Sequence, residues 1–186
     1  MSNEYELITL KAEAAIGEYL NNCVDVEKFL SCCKKCRNYG GIWSCPEFGF
    51  DPNDIWKSYT RLLLYGKKIA FTKEACEKPR TQAELDEWYN IRLSNIKRSM
   101  LRELLEMEKR HSGSRALSAG SCSECAICAR KRGLPCEKPE LMRYSIEALG
   151  GDVGKTLESY LGEKLLWAQQ GRLPAHFILL GGLLIN

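Results

Sequence analysis

The chain has 186 residues, of which 45% are hydrophobic and 27% charged, and its net charge is +3. At this length folding buries roughly 70% of the extended chain's surface, so a core forms without help from disulfides. The mild charge gives no ground for a nucleic-acid module, and the composition suits one globular domain over residues 1–186.

The opening stretch, MSNEYELITLKAEAAIGEYL, carries acidic residues and lacks the apolar segment of a secretory signal. Residues 4–30 read as helical in pieces. A first cysteine group follows at 32–46. Asp51 then stands as N-cap with Pro52 at the first helical position of DPNDIWKSYTRLLLY. KKIAFTK, residues 67–73, alternates as a strand does. The clearest helix spans 81–112. Thr81 and Glu84 form a capping box, and Leu85, Tyr89, Leu93, Ile96, Met100, Leu104, Met107 and His111 share one face. It would be roughly 48 Å long and end at Gly113. RALSAG suggests a short strand before the second cysteine group at 122–139. Residues 138–149 and 153–169 read as helices, the latter behind Asp152. The tail HFILLGGLLIN reads as a hairpin around Gly181 and Gly182, or as one buried strand with a bulge. Its apolar run is about half of what a membrane-spanning helix needs, so no membrane role is expected. The expected fold class is α+β, mainly helical with a small β-sheet and two cysteine-rich metal-binding loops.

Ten cysteines are far more than a core of this size requires. With no secretory signal the expected compartment is the cytoplasm, where disulfides rarely persist and clustered cysteines point to metal or redox chemistry. The second group is Cys122, Cys125, Cys128 and Cys136, spaced C-x2-C-x2-C-x7-C. Three thiolates at intervals of three wrap a tight loop suited to three irons of a [4Fe–4S] cubane, with the more distant cysteine taking the fourth. Zinc is the competing metal, but structural zinc sites usually pair two separated knuckles. The first group is Cys32, Cys33, Cys36 and Cys45. Neighbouring Cys32 and Cys33 do not both reach one ion without strain. This leaves Cys33, Cys36 and Cys45 as metal ligands, with Cys32, Cys23, Cys76, a non-cysteine group or nothing in the fourth place. A cubane or zinc held by three protein ligands keeps an open position for chemistry. A thioredoxin-like dithiol at Cys33 and Cys36 is the weaker reading, because no βαβ pattern surrounds it.

Lys34, Lys35, Arg37, Arg130, Lys131 and Arg132 flank the cysteines as solvated charge, or as groups that raise a cluster's potential and steer an acidic partner. Trp43 and Tyr39 read as packing rather than base stacking, so no nucleic-acid partner is expected. Neither His111 nor His176 sits in a metal-binding or triad motif, and no glycine-rich phosphate loop occurs.

CKKCRNYGGIWSCPEFGFDP resembles the first motif of the predicted metal-binding proteins grouped as domain of unknown function 2284: two cysteines, Tyr-Gly, then Trp-Ser-Cys-Pro-Pro. ALSAGSCSECAICARKRGLPCEKPELMRYSIEALGGDV resembles their second: Ala-Gly, four cysteines, a proline, Arg-x-Ser-x-Glu-Ala and Gly-x-Asp-Val. Glu47 replaces a usual proline, Ser121 stands where a proline often precedes the first cysteine, and Cys32 falls outside the pattern. The resemblance implies metal binding by Cys33, Cys36 and Cys45 and by Cys122, Cys125, Cys128 and Cys136. It supplies no reaction. Arg143, Ser145 and Glu147 lie in the matched segment, and on a helix Arg143 would pair with Glu147 beside the metal. Three functions are therefore in play. The first is electron transfer or redox support for a partner protein by one or two [4Fe–4S] clusters. The second is an enzyme with an open three-cysteine metal position, and the third is a zinc-stabilised interaction module.

Overall fold

Leu10, Ala12 and Ala14 turn inward while Lys11 and Glu13 face solvent, a period of two that belongs to a strand. The computed structural model, which describes residues 4–186, accordingly places β1 at Tyr5–Ala15, where a helical segment was expected. β1 pairs antiparallel with β2, Arg61–Phe71, in a register that sets Tyr5 opposite Phe71 and Ala15 opposite Arg61. β2 in turn pairs antiparallel with β4, His176–Ile185, and β4 with the short β3, Arg115–Leu117. The sheet order is β1-β2-β4-β3.

Both faces of this sheet are covered. Leu62, Leu64, Ile178, Leu180 and Leu184 pack on one side with α1, Ile16–Cys23, and α3, Pro52–Lys57. Leu63, Tyr65, Leu183 and Ile185 pack on the other. A strand buried on both faces reads as a continuous apolar run rather than an alternating one. This is why RLLLY passes for the end of a helix in the sequence. Asp51 does cap α3, accepting from the Asn53 N–H at 2.9 Å, but the helix stops at Lys57.

The tail is one strand, with neither hairpin nor bulge. Its register with β2 runs unbroken across both glycines, Gly181 opposite Tyr65 and Gly182 opposite Leu64. The glycines serve close approach: a Cβ on Gly181 would lie 2.4 Å from the Leu117 carbonyl oxygen, and one on Gly182 2.8 Å from that of Leu63.

After the short α4, Lys73–Glu77, the capping box forms as the sequence predicts, with Thr81 and Glu84 satisfying each other's backbone at the start of α5, Gln82–Glu87. The chain then passes through a π-helical turn, Trp88–Leu93, into α6, Ser94–Arg110. The wider turn shifts the buried stripe, so that Trp88, Leu101 and Leu105 join Leu85, Met100 and Leu104 in the interior. His111 is exposed and lies past the helix end.

The expectation of a mainly helical fold is thereby corrected. The fold is α+β, but a four-stranded antiparallel sheet organises it and two 11-residue strands occupy stretches expected as helix, wholly or in part. Residues 138–149 are turn and irregular chain, with one 3₁₀ turn at Glu147–Leu149. The 153–169 helix shrinks to α7, Val153–Thr156, and a π turn, Leu157–Leu161. Asp152 does cap it, accepting from the Lys155 N–H at 2.9 Å. Among the described residues no helix is long and apolar enough to cross a membrane.

Candidate metal centre

α2, Val26–Cys33, delivers the first cysteine group. Cys32 and Cys33 occupy its last turn. A string of tight turns then brings the chain back: Cys36 N–H to the Cys33 carbonyl at 2.9 Å, Tyr39 to Cys36 at 3.0 Å and Cys45 to Ile42 at 3.0 Å. Gly40 takes the left-handed conformation, φ 63°, and donates to the Pro46 carbonyl at 2.6 Å, which closes the loop. Cys33, Cys36 and Cys45 end within electrostatic reach of one another. Burial pushes the Cys33 thiol above its ordinary value, and Cys36, Cys32 and Glu147 add to that. Burial likewise raises Cys45, against the Ser44 hydroxyl and with help from Cys36 and Cys33. A metal bound here displaces those protons, so its affinity rises with pH.

The second group begins after β3, where Gly120 turns the chain with φ 59°. Cys122, Cys125, Cys128 and Cys136 all line one small cavity of about 20 Å³, together with Ile42 and Trp43 of the first loop. That volume is the room of a single ion or water molecule. Burial raises the Cys122 thiol, opposed by the Glu124 backbone. Among the described residues no three His, Cys, Asp or Glu side chains are drawn together as a ready-made ion cage. The thiols share a wall and are not closed into a coordination shell. The donor set, four thiols on one cavity and three in a neighbouring loop, suits a thiophilic metal.

The two loops are laced to each other. The Cys122 N–H donates to the Ser44 hydroxyl at 2.8 Å, and Asn38 Nδ2 to the Ser121 hydroxyl at 3.3 Å. Arg130 donates to the carbonyls of Ile42 at 3.1 Å, Cys45 at 2.8 Å and Glu47, and lies over the Trp43 ring at 5.0 Å. Trp43 Nε1 returns a bond to the Leu134 carbonyl at 3.0 Å. Arg130 is thus a structural tie rather than solvated charge. Lys97 of α6 stands between the loops with its ammonium on the Ser121 carbonyl. Burial lowers its pKa, while Cys122, Glu147, Cys45 and Glu124 pull the other way. Glu147 is among the charges that act on it, and its Oε2 is shielded from solvent and without a hydrogen-bond partner among the described residues.

The model of a family of predicted metal-binding proteins, domain of unknown function 2284, matches residues 21–185. The chain belongs to this family. No curated protein and no solved structure matches it.

Within this DUF2284 chain the remaining cysteines lie elsewhere. Cys23 is buried in the core with Tyr19 and Trp56, and its electrostatic neighbours are Thr156, Lys155, Asp152 and Glu18. Cys76 donates to the Pro174 carbonyl at 3.3 Å, beyond the far end of β2. Cys32 is exposed beside Cys33. Both histidines hydrogen-bond to backbone, His111 at the Met107 carbonyl and His176 at that of Lys164.

The pairing expected between Arg143 and Glu147 does not form, because no helix joins them. Arg143 closes instead on Glu108 of α6, with Nε 2.8 Å from Oε2 and Nη2 2.7 Å from Oε1. Ser145 accepts from the Ala148 N–H at 3.2 Å and starts the 3₁₀ turn that presents Glu147. Lys97 and Ser44 escape sequence reasoning. Lys97 looks like any charged residue on a helix, and Ser44 carries no signal except its place before Cys45.

Proposed function

We propose that this is a cytoplasmic iron–sulfur protein that carries electrons for a partner protein. Cys122, Cys125, Cys128 and Cys136 would hold a [4Fe–4S] cluster, and Cys33, Cys36 and Cys45 a second metal. The observation that carries this reading is that four cysteines, spaced C-x2-C-x2-C-x7-C, line one cavity walled by the other cysteine loop. Lys97 beside both loops supports it, since a cation tempers the negative charge of clustered thiolates. The lacing of the loops would set two centres side by side, as electron passage requires. The cluster's chemistry is one-electron exchange. The chain's part is to bind it, shield it and set its potential through nearby charge and hydrogen bonds.

The small cavity favours a single zinc ion, and the cysteine spacing favours the cluster. Iron, sulfide and zinc per chain, measured with an absorption spectrum on anaerobically purified protein, decide between them. About four or eight iron with equal sulfide is the expected result, on the basis of four iron per cubane. Stoichiometric zinc without sulfide overturns the redox reading. A second reading, an enzyme with an open position at the first site, draws on the placement of Cys23 and Cys76 away from the trio.

A further inference from the structure

The positive charge of this chain is unevenly spread. Residues 32–47 and 122–139, the two cysteine loops, carry net +4 between them, while the whole chain carries +3. The remaining 152 residues are therefore net −1. Some of the loop cations are engaged. Arg130 is held on the Ile42 and Cys45 carbonyls, Arg132 pairs with Glu137 at 2.7 Å, and Lys138 donates to the Glu124 carbonyl at 2.8 Å. Four are left. Lys34, Lys35, Arg37 and Lys131 are all exposed, and among the described residues none has a carboxylate partner. The carboxylates of the loops do little to cancel them, since Glu124 is taken by Arg102 at 2.9 Å and Glu137 by Arg132.

Lys131 joins the cations of the first loop. Its stem lies along that loop, so that a Cβ on Gly41 would be 3.4 Å from Lys131 Cε. The second loop also exposes apolar groups. Ile127, between Cys125 and Cys128, is 66% exposed, and Leu134, whose carbonyl accepts from Trp43 of the first loop, is 48% exposed. Exposed apolar side chains beside unpaired charge are the make-up of a protein–protein interface. A single-stranded nucleic acid would need aromatic faces to stack on, and Trp43 is covered by Arg130 at 5.0 Å.

We propose that the cysteine loops form the docking face for an acidic redox protein, with Lys34, Lys35, Arg37 and Lys131 steering it and Ile127 and Leu134 making the close contact. This deepens the electron-transfer reading and rests on it for the redox character of the partner. A cluster held by thiolates is negatively charged and repels an acidic partner, and unpaired cations beside it offset that repulsion. An encounter of this kind is small and transient, and it weakens as salt screens it.

Surface plasmon resonance of the anaerobically purified full chain tests it, with metal content measured on the same samples. The probes are two acidic carriers, a plant-type ferredoxin and a flavodoxin, with basic cytochrome c and a single-stranded oligonucleotide as contrasts. At least one acidic carrier should bind saturably, and at least about tenfold more weakly at 0.15 M salt than at 0.01 M, as the Debye length falls from about 30 to about 8 Å. Lys34→Glu, Lys35→Glu and Arg37→Glu combined should weaken binding at least about tenfold, and Lys131→Glu and Leu134→Ala about threefold each. Should the triple variant lose its fold or metal, those two single variants decide. Reversing Lys57, Lys78 and Lys164, exposed lysines outside the loops, should change binding less than about twofold. No saturable binding by either carrier, tighter binding of the oligonucleotide or of cytochrome c, or an equal loss on reversing the outside lysines would overturn the proposal. Binding by a zinc-loaded, sulfide-free chain would keep the acidic dock and remove electron transfer. Iron with equal sulfide but no binding would keep electron transfer and remove the dock.

Discussion

The backbone N–H of Cys122 donates to the hydroxyl of Ser44, a residue 78 positions earlier and 1% exposed. One buried side chain therefore holds the first cysteine of the second group against the residue preceding the last cysteine of the first. Removing it strands a donor at the seam between the loops. Ser44→Ala should cost about 1–3 kcal/mol of stability by urea denaturation. It should also lower metal content at both groups, because the tie that directly joins the two cysteine segments is then lost while the Asn38, Arg130 and Trp43 bonds remain. Full metal content with unchanged stability would show that the loops are positioned independently.

Acid should expose the Arg143–Glu108 pair. Burial pushes the Glu108 carboxyl up, but Arg143 and the Ala116 N–H outweigh it and leave the group below its ordinary value. A carboxylate lowered in the folded state stabilises above its unfolded pKa and loses that contribution as pH falls through the folded one. Glu108→Gln should therefore be less stable than the natural protein by about 1.5–3 kcal/mol at pH 7. The gap should start to close near pH 4.3, roughly the unfolded carboxylate value, and vanish in stronger acid. Urea melts at several pH values read this directly, and a gap that widens on acidification would sink the assignment.

What the sequence disclosed was local. Asp51, Thr81 with Glu84, and Asp152 are caps whose partners lie two or three residues away, and all formed. That Cys122, Cys125, Cys128 and Cys136 would line one cavity was legible for the same reason, since their close spacing is a short-range pattern. KKIAFTK was legible as a strand and forms the second half of β2, whereas β1 and the RLLLY half of β2 were misread because their state is decided by neighbours distant in sequence. Leu62 and Leu63 are both interior only because elements cover both faces of the sheet. Arg143 was paired with Glu147 on the premise of a helix, and its true partner stands 35 residues away on α6. Lys97 and the unpartnered oxygen of Glu147 had no sequence signal, since both take their character from burial.

Gly181 marks where β3 and α6 crowd against β4. A methyl there would meet the Leu117 carbonyl oxygen at 2.4 Å and the ends of Leu104 and Met100 at 3.1 Å. The side chains can yield, but the backbone oxygen belongs to a paired strand. Gly181→Ala should destabilise by about 1–3 kcal/mol, the usual cost of overpacking. Since β3 leads through Ser118–Ser121 into Cys122, the same variant should loosen the second cysteine group, measurable as faster loss of metal to a chelator. A variant as stable as the natural protein would mean that β3 moves aside freely.

The fourth ligand of the first group separates a closed electron-transfer site from an open one. Cys23 is 1% exposed within the core, and Cys76 is engaged at the Pro174 carbonyl. Neither is among the charges that Cys33 or Cys45 senses. Cys23→Ala and Cys76→Ala should therefore keep the natural metal content per folded chain, although the first loses some core packing. Cys33→Ala, Cys36→Ala and Cys45→Ala should each lose the first metal. Cys32 is the deciding residue: it adjoins Cys33 and contributes to its raised pKa, yet adjacent residues rarely reach one ion without strain. Cys32→Ala is expected to retain the metal, and an added thiol or imidazole should then produce the same spectral shift in the variant as in the natural protein, since the position it occupies is open in both. Loss of metal in that variant would make Cys32 the closing ligand, ending the open-site reading and leaving electron transfer as the use of both groups.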